Sequence, residues 1–259
     1  MAISNDGIAK LTIPLPPLAE QDRITRILDE SDVLRRLRTE ADGRTGFLAS
    51  ALYFDMFGDN HADARGCRDA RLEELTTRVT DGIHLKPVYT ESGVPFISVK
   101  DVTTRRLRFD DCRYISSADH ERFTKRCKPE YLDILYTKVG ATYGRAAVVD
   151  TDREFSIYVS VCLIKPNKSL VEPLYLSETM NSPAVKNQAD QRIKGIGVPD
   201  LHLDQIREFL VSLPPMERQR EFASRVGQIH GLEASQRASR SGLDELFESL
   251  LSRAFVGDL

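Results

Sequence analysis

Apolar residues recur at helical spacing in two long stretches, one near each end of the chain. The first stretch contains Ile24, Ile27, Leu28, Leu34, Leu37, Phe47, Leu48, Leu52 and Met56, and the second contains Phe222, Val226, Ile229, Leu232, Leu243, Leu246, Phe247, Leu250 and Leu251. Charged residues fill the positions between them, so the pattern predicts two amphipathic helices. Each would be about 35 residues long, or roughly 50 Å at the helical rise per residue.

The starts of both helices carry a repeated phrase. "IPLPPLAEQDRI" at residues 13–24 returns as "VSLPPMERQREF" at residues 211–222, and in this register Gln21 aligns with Gln219 and Phe57 with Phe255. Both stretches also close on a Phe that is followed shortly by Gly and Asp. We interpret this agreement as an internal duplication. In each copy, two prolines end a strand-like segment and favour the first turn of a helix.

Two such helices can bury their apolar stripes against each other. We therefore expect an antiparallel coiled coil, with a kink or break near Gly43–Gly46 because glycine disfavours a helix interior. The residues expected at the helix-pair or partner interface are Ile24, Ile27, Leu34, Leu48, Leu52, Phe222, Val226, Leu246 and Leu250. The sequence leaves one alternative open, in which each helix is simply a core helix of one compact domain.

Between the helices the pattern changes to short strand-like runs separated by turns. The runs are Gly93–Val102, Asp133–Asp150 and Phe155–Pro166, and a helix is predicted at Leu174–Gln188. This pattern is typical of a mixed domain rich in strands. The sequence therefore predicts an α+β fold in which one mixed, mainly β domain at residues 60–212 is flanked by long helices at 19–59 and 213–259.

Composition narrows the class of protein. Hydrophobic residues make up 41% and charged residues 29% of the 259-residue chain, which is typical of a globular protein. No apolar run is long enough to cross a bilayer and no signal peptide is evident, so we expect a cytoplasmic protein without membrane contact. The four cysteines form no CxxC pair, and we expect free thiols with no metal site.

The net charge of −3 hides a local excess of positive charge. Residues 100–128 contain nine basic and five acidic residues, and a local patch matters more for nucleic-acid binding than a total. Three loops of the middle domain also combine glycines with Lys, Arg or His: Thr80–Pro87, Thr137–Ala146 and Arg192–Leu201. Glycines allow close approach of the backbone to a ligand, and Lys or Arg neutralises phosphate. The alternative for each loop is an ordinary β-turn with a solvated charge.

Motifs of known enzymes are missing from the sequence. We find no GxxxxGK[ST], no GxSxG, no HExxH and no Asn-Pro-Pro-aromatic tetrapeptide, and these motifs carry phosphate binding, acyl transfer, zinc hydrolysis and adenine methylation respectively. The sequence therefore favours a non-catalytic chain.

Several phrases together resemble the DNA-specificity (S) subunits of type I restriction-modification systems. Besides the two proline phrases they are "MFGD", "DGIHLKP", "GVPFISVKDV", "DILYTKVGATYGRAAVV" and "GIGVPDLHLDQIREFLVSLPP". The resemblance covers nearly the whole chain in the order of the family. It implies a target recognition domain that reads one half of a bipartite site in double-stranded DNA, and long helices that act as spacers and dock adenine methyltransferase (M) subunits.

The resemblance also implies what this chain lacks. It implies no catalytic site and no bound cofactor, because the M subunits use S-adenosylmethionine and the restriction/translocase (R) subunit uses ATP and Mg²⁺. A typical S subunit has two recognition domains, whereas this sequence has one, and residues 1–18 resemble the tail of a preceding domain. We therefore expect a half-length form that pairs with a second copy of itself or with a second half-length S chain.

The resemblance gives the loops specific roles. We expect the DNA-binding residues to be His84, Lys86, Lys100, Arg105, Arg106, Lys138, Thr142, Tyr143, Arg145 and Lys194. The His84 and Tyr143 loops would read base edges in the major groove, while Lys100, Arg105, Arg106 and Lys194 would contact phosphates. The competing interpretation is a coiled-coil adaptor, or a truncated non-functional remnant, that reads no DNA sequence.

Overall fold

A computed structural model describes residues 15–58, 67–193 and 197–256 of the chain. The α-helices of these residues are α1 (Leu18–Thr45), α2 (Leu48–Phe57), α3 (Ser117–Thr124), α4 (Pro173–Met180), α5 (Pro183–Arg192), α6 (Leu203–Arg207) and α7 (Met216–Val256). The strands are β1 (Arg68–Arg71), β2 (Thr76–Asp81), β3 (Val94–Ile97), β4 (Arg113–Ile115), β5 (Ile134–Thr137), β6 (Ala146–Val148), β7 (Ser156–Ile157), β8 (Val161–Pro166) and β9 (Leu210–Leu213). The predicted combination of long terminal helices and a mixed middle domain is confirmed.

The first long helix is interrupted where the glycines predict a break. Helix α1 ends at Thr45, Gly46 and Phe47 form a turn, and α2 begins at Leu48. Helix α7, in contrast, runs without interruption over 41 residues and includes Gly227, Gly231 and Gly242. Glycine in a helix interior costs up to about 1 kcal/mol relative to alanine, and α7 tolerates three such residues.

The strands of the middle domain form three small sheets. The largest has the order β2-β8-β5-β6 and is antiparallel throughout, the second has the order β4-β3-β7, and β1 pairs with β9. Within the second sheet, β3 pairs with β7 in parallel and with β4 antiparallel. Strand β8 therefore lies between β2 and β5, and this position controls which loops meet at the end of the sheet.

The helix predicted at Leu174–Gln188 is in fact two helices. Helix α4 ends at Met180, and α5 begins at Pro183 after the cap residue Ser182, whose Oγ accepts a hydrogen bond from the Val185 amide at 3.4 Å. A proline cannot occupy a helix interior without removing a hydrogen bond and clashing with the preceding turn. The prediction of a single helix was wrong because Ser182 and Pro183 start a new helix inside the predicted range.

The chain divides into two compact units, of which the larger comprises residues 49–226. Its main core joins the large sheet to α2, α4 and the start of α7. Tyr53 and Phe57 pack there against Tyr175 and Phe222, with ring centroids 5.0–5.9 Å apart. Phe222 and Val226 are fully buried in this core. Edge-to-face aromatic contacts of this kind add stabilisation beyond simple burial.

This packing differs from the expected helix pair. Phe222, Val226 and Leu52 pack in or against the core of the sheet domain, because the first turns of α7 directly follow β9. Among the other predicted interface residues, Ile24, Ile27 and Leu250 are partly buried, whereas Leu34, Leu48 and Leu246 are exposed. The apolar residues of each helix therefore have different surroundings at different points along the helix.

The smaller unit contains the described residues up to 48 together with residues 227–256. Within it, polar contacts join α1 to α7. The guanidinium of Arg35 donates to Asp244 at 2.8 Å and lies 4.4 Å from the centre of the Phe247 ring, and Arg240 donates to Asp42 at 3.1 Å. Exposed ion pairs contribute little energy individually, yet these contacts fix which residues face each other.

Two general properties follow from the described residues. None of their helices is both long and apolar enough to cross a membrane. The thiols of Cys112, Cys127 and Cys162 are buried and free, and Cys67 is free and partly exposed, as expected from the lack of a CxxC pair.

Candidate nucleic-acid interface

Two of the loops singled out in the sequence meet at one end of the large sheet. Asp81 is the last residue of β2 and Lys138 directly follows β5, and both flank the start of β8. The Gly82 amide donates to the Val161 carbonyl at 3.3 Å, and the Lys138 amide donates to the Ser160 carbonyl at 3.0 Å. Because β8 is antiparallel to both neighbours, its first residues lie beside their last ones. The loops at residues 80–87 and 137–146, here the His84 loop and the Tyr143 loop, therefore emerge side by side.

The described part of the third loop joins them. The Leu201 amide donates to the Lys138 carbonyl at 2.9 Å, and the Gly140 amide donates to the Pro199 carbonyl at 2.9 Å. Residues 197–201, here the Asp200 segment, thus pair with the Tyr143 loop in a short antiparallel bridge. Loops chosen from the sequence by residue type alone are adjacent in the fold.

Buried charges hold these segments together in a group that we call the Lys138 cluster: Asp81, His84, Arg126, Lys138 and Asp200. The Lys138 Nζ lies 3.8 Å from Asp81 Oδ2 and 3.3 Å from Asp200 Oδ1. Arg126 donates to Asp81 Oδ1 at 2.6 Å, and His84 Nε2 lies 3.2 Å from Asp81 Oδ2. Only 4% of Asp81 and 6% of Lys138 are exposed. A buried charge is tolerated only when it is paired and hydrogen-bonded, and each buried member of the cluster is paired.

The burial of Lys138 corrects one prediction. Lys138 was expected to bind DNA, but its ammonium is buried between two carboxylates and is not presented at the surface. Asp81, Asp200 and Arg126 were not predicted at all. The only local signal was a carboxylate placed next to a glycine at the end of a strand, and no pattern in the sequence connects it to a lysine in another loop.

The His84 loop presents its polar side chains outward. His84 remains 62% exposed while one ring nitrogen contacts Asp81, and Leu85 and Lys86 are exposed before the buried Pro87. Gly82 allows this course, because a Cβ there would overlap the Ile157 carbonyl. The loop is therefore pressed against the segment before β8 and exposes the side chains that follow.

The Tyr143 loop is a tight turn organised by Thr137. The Thr137 Oγ1 donates to the Thr142 carbonyl at 2.8 Å and accepts from the Arg145 amide at 2.9 Å. Gly140 and Gly144 have φ values of 85° and 84°, a region that other residues rarely adopt. Thr142 and Arg145 are exposed, so a rigid turn carries two polar side chains that were predicted to contact DNA.

Tyr143 itself is anchored to helix α5. Its hydroxyl donates to Asp190, which also accepts from Lys186, and the Lys186 ammonium lies 4.0 Å from the centre of the Tyr143 ring. The hydrogen bond from Lys186 and, secondarily, that from Tyr143 hold the pKa of Asp190 below its usual value. The hydroxyl of Tyr143, a predicted base-reading residue, is therefore engaged within the protein, where it ties the turn to α5.

Four of the nine basic residues in the patch are paired with acidic neighbours. Acidic partners lie beside Lys100 (Asp111, 2.7 Å), Arg108 (Asp110, 3.0 Å), Arg122 (Asp119, 2.7 Å) and Arg126 (Asp81, 2.6 Å). The hydrogen bond from Lys100 lowers the pKa of Asp111 and raises that of Lys100. Lys100 is still exposed and Arg106 is partly exposed, so both stay candidates for phosphate contact. Lys194 lies outside the described residues.

Arg105 does not fit its predicted role. Its guanidinium donates to Ser50 Oγ in α2 at 2.8 Å, and burial lowers its pKa. Its backbone φ of 59° places it in the left-handed region, which costs a residue with a Cβ about 1–2 kcal/mol. Arg105 fastens its loop to α2 instead of presenting a charge to phosphate.

One histidine has a partner that the sequence did not reveal. His120 Nδ1 lies 2.9 Å from Ser156 Oγ, and its Nε2 lies 3.8 Å from Glu154. The arrangement resembles a Ser-His-acid triad, but Ser156 is 1% exposed and a substrate could not reach it. The described residues also contain no group of three or more His, Cys, Asp or Glu placed to hold a metal ion.

Comparison with known proteins gives the class to which this fold belongs. The type I restriction modification DNA specificity domain matches residues 72–237, a stretch that contains the Lys138 cluster and the start of α7. The chain therefore belongs to this family. Specificity subunits are non-catalytic, and membership confirms the expectation from the sequence that the chain is not itself an enzyme.

Particular relatives extend the match. The chain is 29% identical over 173 residues to the EcoBI specificity subunit of Escherichia coli, covering 65% of this chain and 36% of that protein. It is 22% identical over 276 residues to the EcoKI specificity subunit of Escherichia coli strain K12, covering 96% and 58%. The type I restriction-modification S subunit from M. genitalium shares the fold, with a TM-score of 0.61 at 14% identity over 92% and 61% of the two chains. This chain thus spans about one third to three fifths of the length of these proteins.

Proposed function

We propose that this chain reads one half-site of a bipartite DNA sequence for a type I restriction-modification complex. The observation that supports this proposal most strongly is the convergence of the His84 loop, the Tyr143 loop and the Asp200 segment at one end of the sheet. Rigid loops on a sheet end can present several side chains to adjacent base pairs at once. We propose that the chain acts on DNA in the cytoplasm.

The exposed side chains divide by chemistry. His84, Lys86, Thr142 and Arg145 project from the loops fixed by the cluster, and we assign them to base edges; a good bidentate contact discriminates between bases by about 1–3 kcal/mol. Lys100, Arg106 and Lys194 are assigned to phosphates, which position the protein without reading sequence.

The helices are proposed as a spacer and as the docking site for the adenine methyltransferase subunits. The contacts of Arg35 with Asp244 and of Arg240 with Asp42 support an antiparallel pairing of α1 and α7, because the position on α1 rises as the position on α7 falls. The M subunits would bring S-adenosylmethionine, and the R subunit would join through the assembled complex and use ATP and Mg²⁺.

A second recognition domain is also proposed, because the start of the first copy and the end of the second copy are exposed. Leu213 and Phe57 are 7% and 6% exposed beneath the sheet domain, whereas their counterparts Leu15 and Phe255 are 80% and 65% exposed, and Leu18 is 76% exposed. Contiguous exposed apolar patches mark interaction sites, and we propose that these side chains form one. We propose that another recognition domain covers them, supplied by a second copy of this chain or by a second half-length S chain.

Methylation mapping tests these proposals. The chain is expressed with its methyltransferase subunit in a host free of adenine methylation, and modified adenines are located by sequencing. A gapped palindromic motif would support pairing of two copies, and a gapped asymmetric motif that needs a second S chain would support a split pair. Arg145→Ala should change the motif, while Arg106→Ala should lower methylation at all sites alike.

A complex that assembles but methylates no defined motif would overturn DNA reading and favour an adaptor or a remnant. Salt provides an independent check on binding. DNA binding through phosphates weakens steeply as ionic strength rises, whereas a mostly apolar protein interface does not.

A further inference from the structure

The large sheet carries a buried Asp–Lys pair at each of its ends. At one end Asp81 Oδ2 lies 3.8 Å from Lys138 Nζ, and at the other Asp133 Oδ2 lies 2.6 Å from Lys165 Nζ. Asp133 and Lys138 bracket β5, so one strand separates the two pairs. The sheet therefore contains one pair among the candidate reading loops and one similar pair away from them.

The two pairs differ in what they connect. Lys165 neutralises Asp133 and Glu130, which lie in a single turn before β5. Lys138 instead contacts Asp81 at the start of the His84 loop and Asp200 in the third loop, while its own backbone begins the Tyr143 loop. Asp81 extends the connection through its other contacts, to Arg126 and to His84 itself. One buried ammonium is thus shared by all three candidate reading segments.

From this geometry we infer that Lys138 is a positioning residue that couples base reading by the three segments. The inference rests on the proposed function in DNA recognition. Removal of the ammonium leaves Asp81 buried and lacking one of its cationic partners, a state that drives rearrangement or hydration. Base readout requires side chains held within about 0.5 Å of their productive positions. The His84 loop, the Tyr143 loop and the Asp200 segment should therefore lose their register together.

Coupling makes a prediction that independent loops do not. A change at a loop tip, such as His84→Ala or Thr142→Ala, should relax the base preference only at the positions which that side chain reads. Lys138→Met, which removes the charge and keeps most of the volume, should relax the positions read by both tips at once. Lys165→Met is the matched control, because it breaks the other buried pair without touching a loop of the cluster.

The test is selection of bound duplexes from a randomised library by the full chain, at one fixed salt concentration. Wild type, Lys138→Met, Lys165→Met and the two tip variants are compared position by position, after thermal unfolding has shown that each is folded. We expect Lys138→Met to lose about tenfold in discrimination at the positions of both tips. Lys165→Met is expected to keep the wild-type motif even if its melting temperature falls.

Each outcome decides between alternatives. An unchanged motif for Lys138→Met, or an equal loss for Lys165→Met, would overturn the coupling while leaving DNA reading intact. No enriched motif with wild type would overturn the proposed function itself. If Lys138→Met does not fold, Asp200→Asn replaces it, because Asp200 is half-exposed and its substitution removes only one contact of the ammonium. That variant should relax the same two sets of positions more weakly.

Discussion

The two copies of the repeat begin their helices in the same way but have different surroundings. Gln21 Nε2 donates to the Pro16 carbonyl at 2.8 Å, and Gln219 Nε2 donates to the Pro214 carbonyl at the same distance. In the second copy the Gln219 oxygen also accepts from the Glu172 amide at 2.9 Å. The start of the second copy packs in the core of the sheet domain, whereas the start of the first is largely exposed.

This contrast separates what the repeat encodes locally from what tertiary packing adds. The Pro-Pro-x-x-x-Gln segment forms its helix start whether or not a domain covers it, since the same hydrogen bond forms in both places. Burial of the apolar residues that follow depends on the neighbouring domain. Substitutions at matched positions of the two copies should therefore have unequal effects.

The largest difference should appear at Phe222 and its counterpart Ile24. Phe222→Ala would open a cavity among Tyr53, Phe57 and Tyr175, and aromatic-to-alanine changes in a core cost about 3–5 kcal/mol. Ile24→Ala should cost much less, because Ile24 is only partly buried. Denaturant unfolding of both variants measures the difference. Equal losses would show that the start of the first copy is also packed in solution.

The second difference should appear at the glutamines. Gln219→Ala leaves the Pro214 carbonyl and the Glu172 amide without their partner in a buried environment, and each such group costs about 1–3 kcal/mol. Gln21→Ala leaves one partly buried carbonyl that water can reach, so its free energy of unfolding should change little. Chemical denaturation with Gln219→Met, which keeps a similar volume and removes the hydrogen bonds, separates hydrogen bonding from packing. A larger loss at Gln21 would contradict the comparison.

Alkaline pH should sharpen the comparison at the other end of the repeat, where the first copy packs in the sheet domain and contains the buried Tyr53. Burial raises the pKa of Tyr53 to about 12, against about 10 in an unfolded chain. The stability linked to its protonated form is complete below pH 10 and is lost as the pH rises towards 12. The counterpart in the second copy is Leu251, which does not titrate. Tyr53→Phe should reduce the loss of stability between pH 10 and 12, as followed by circular dichroism; an unchanged pH profile would argue against burial.

The smallest effect concerns helix propensity. The counterpart of Gly242 in the first copy is Arg44, and a Cβ at Gly242 would have no atom within 4 Å. Gly242→Ala should therefore stabilise α7 by up to about 1 kcal/mol, seen as a higher melting temperature. Arg44→Gly should weaken α1 by a similar amount. If Gly242→Ala is destabilising, the glycine serves a contact absent from the single chain.

Sequence patterns predicted the elements better than their contacts. Helical periodicity and the repeat located both long helices, and Gly46 located the break between α1 and α2. The periodicity could not tell which neighbour each apolar residue meets, so Phe222 and Val226 were assigned to a helix pair although they belong to the core of the sheet domain. Periodicity identifies a buried face and contains no information on its partner.

The candidate site shows the same limit. Residue type located the His84 and Tyr143 loops, and the strand order β2-β8-β5 then brought them together. Charge alone did not distinguish an exposed Arg145 from a buried Lys138 or from an Arg105 bonded to Ser50. That distinction depends on carboxylates and hydroxyls distant in the sequence, which only the fold brings close.

The hydrogen bond between Gln219 and Pro214 also makes the start of α7 independent of the sequence of the sheet domain. It closes over five residues and includes no side chain of the sheet domain, so the helix can start correctly after sheet domains of different sequence. What an incoming domain must supply is a final strand that ends on Leu-Pro-Pro and an apolar surface for Phe222 and Val226. In a protein built this way, the sheet domain can vary while the start of the following helix stays the same.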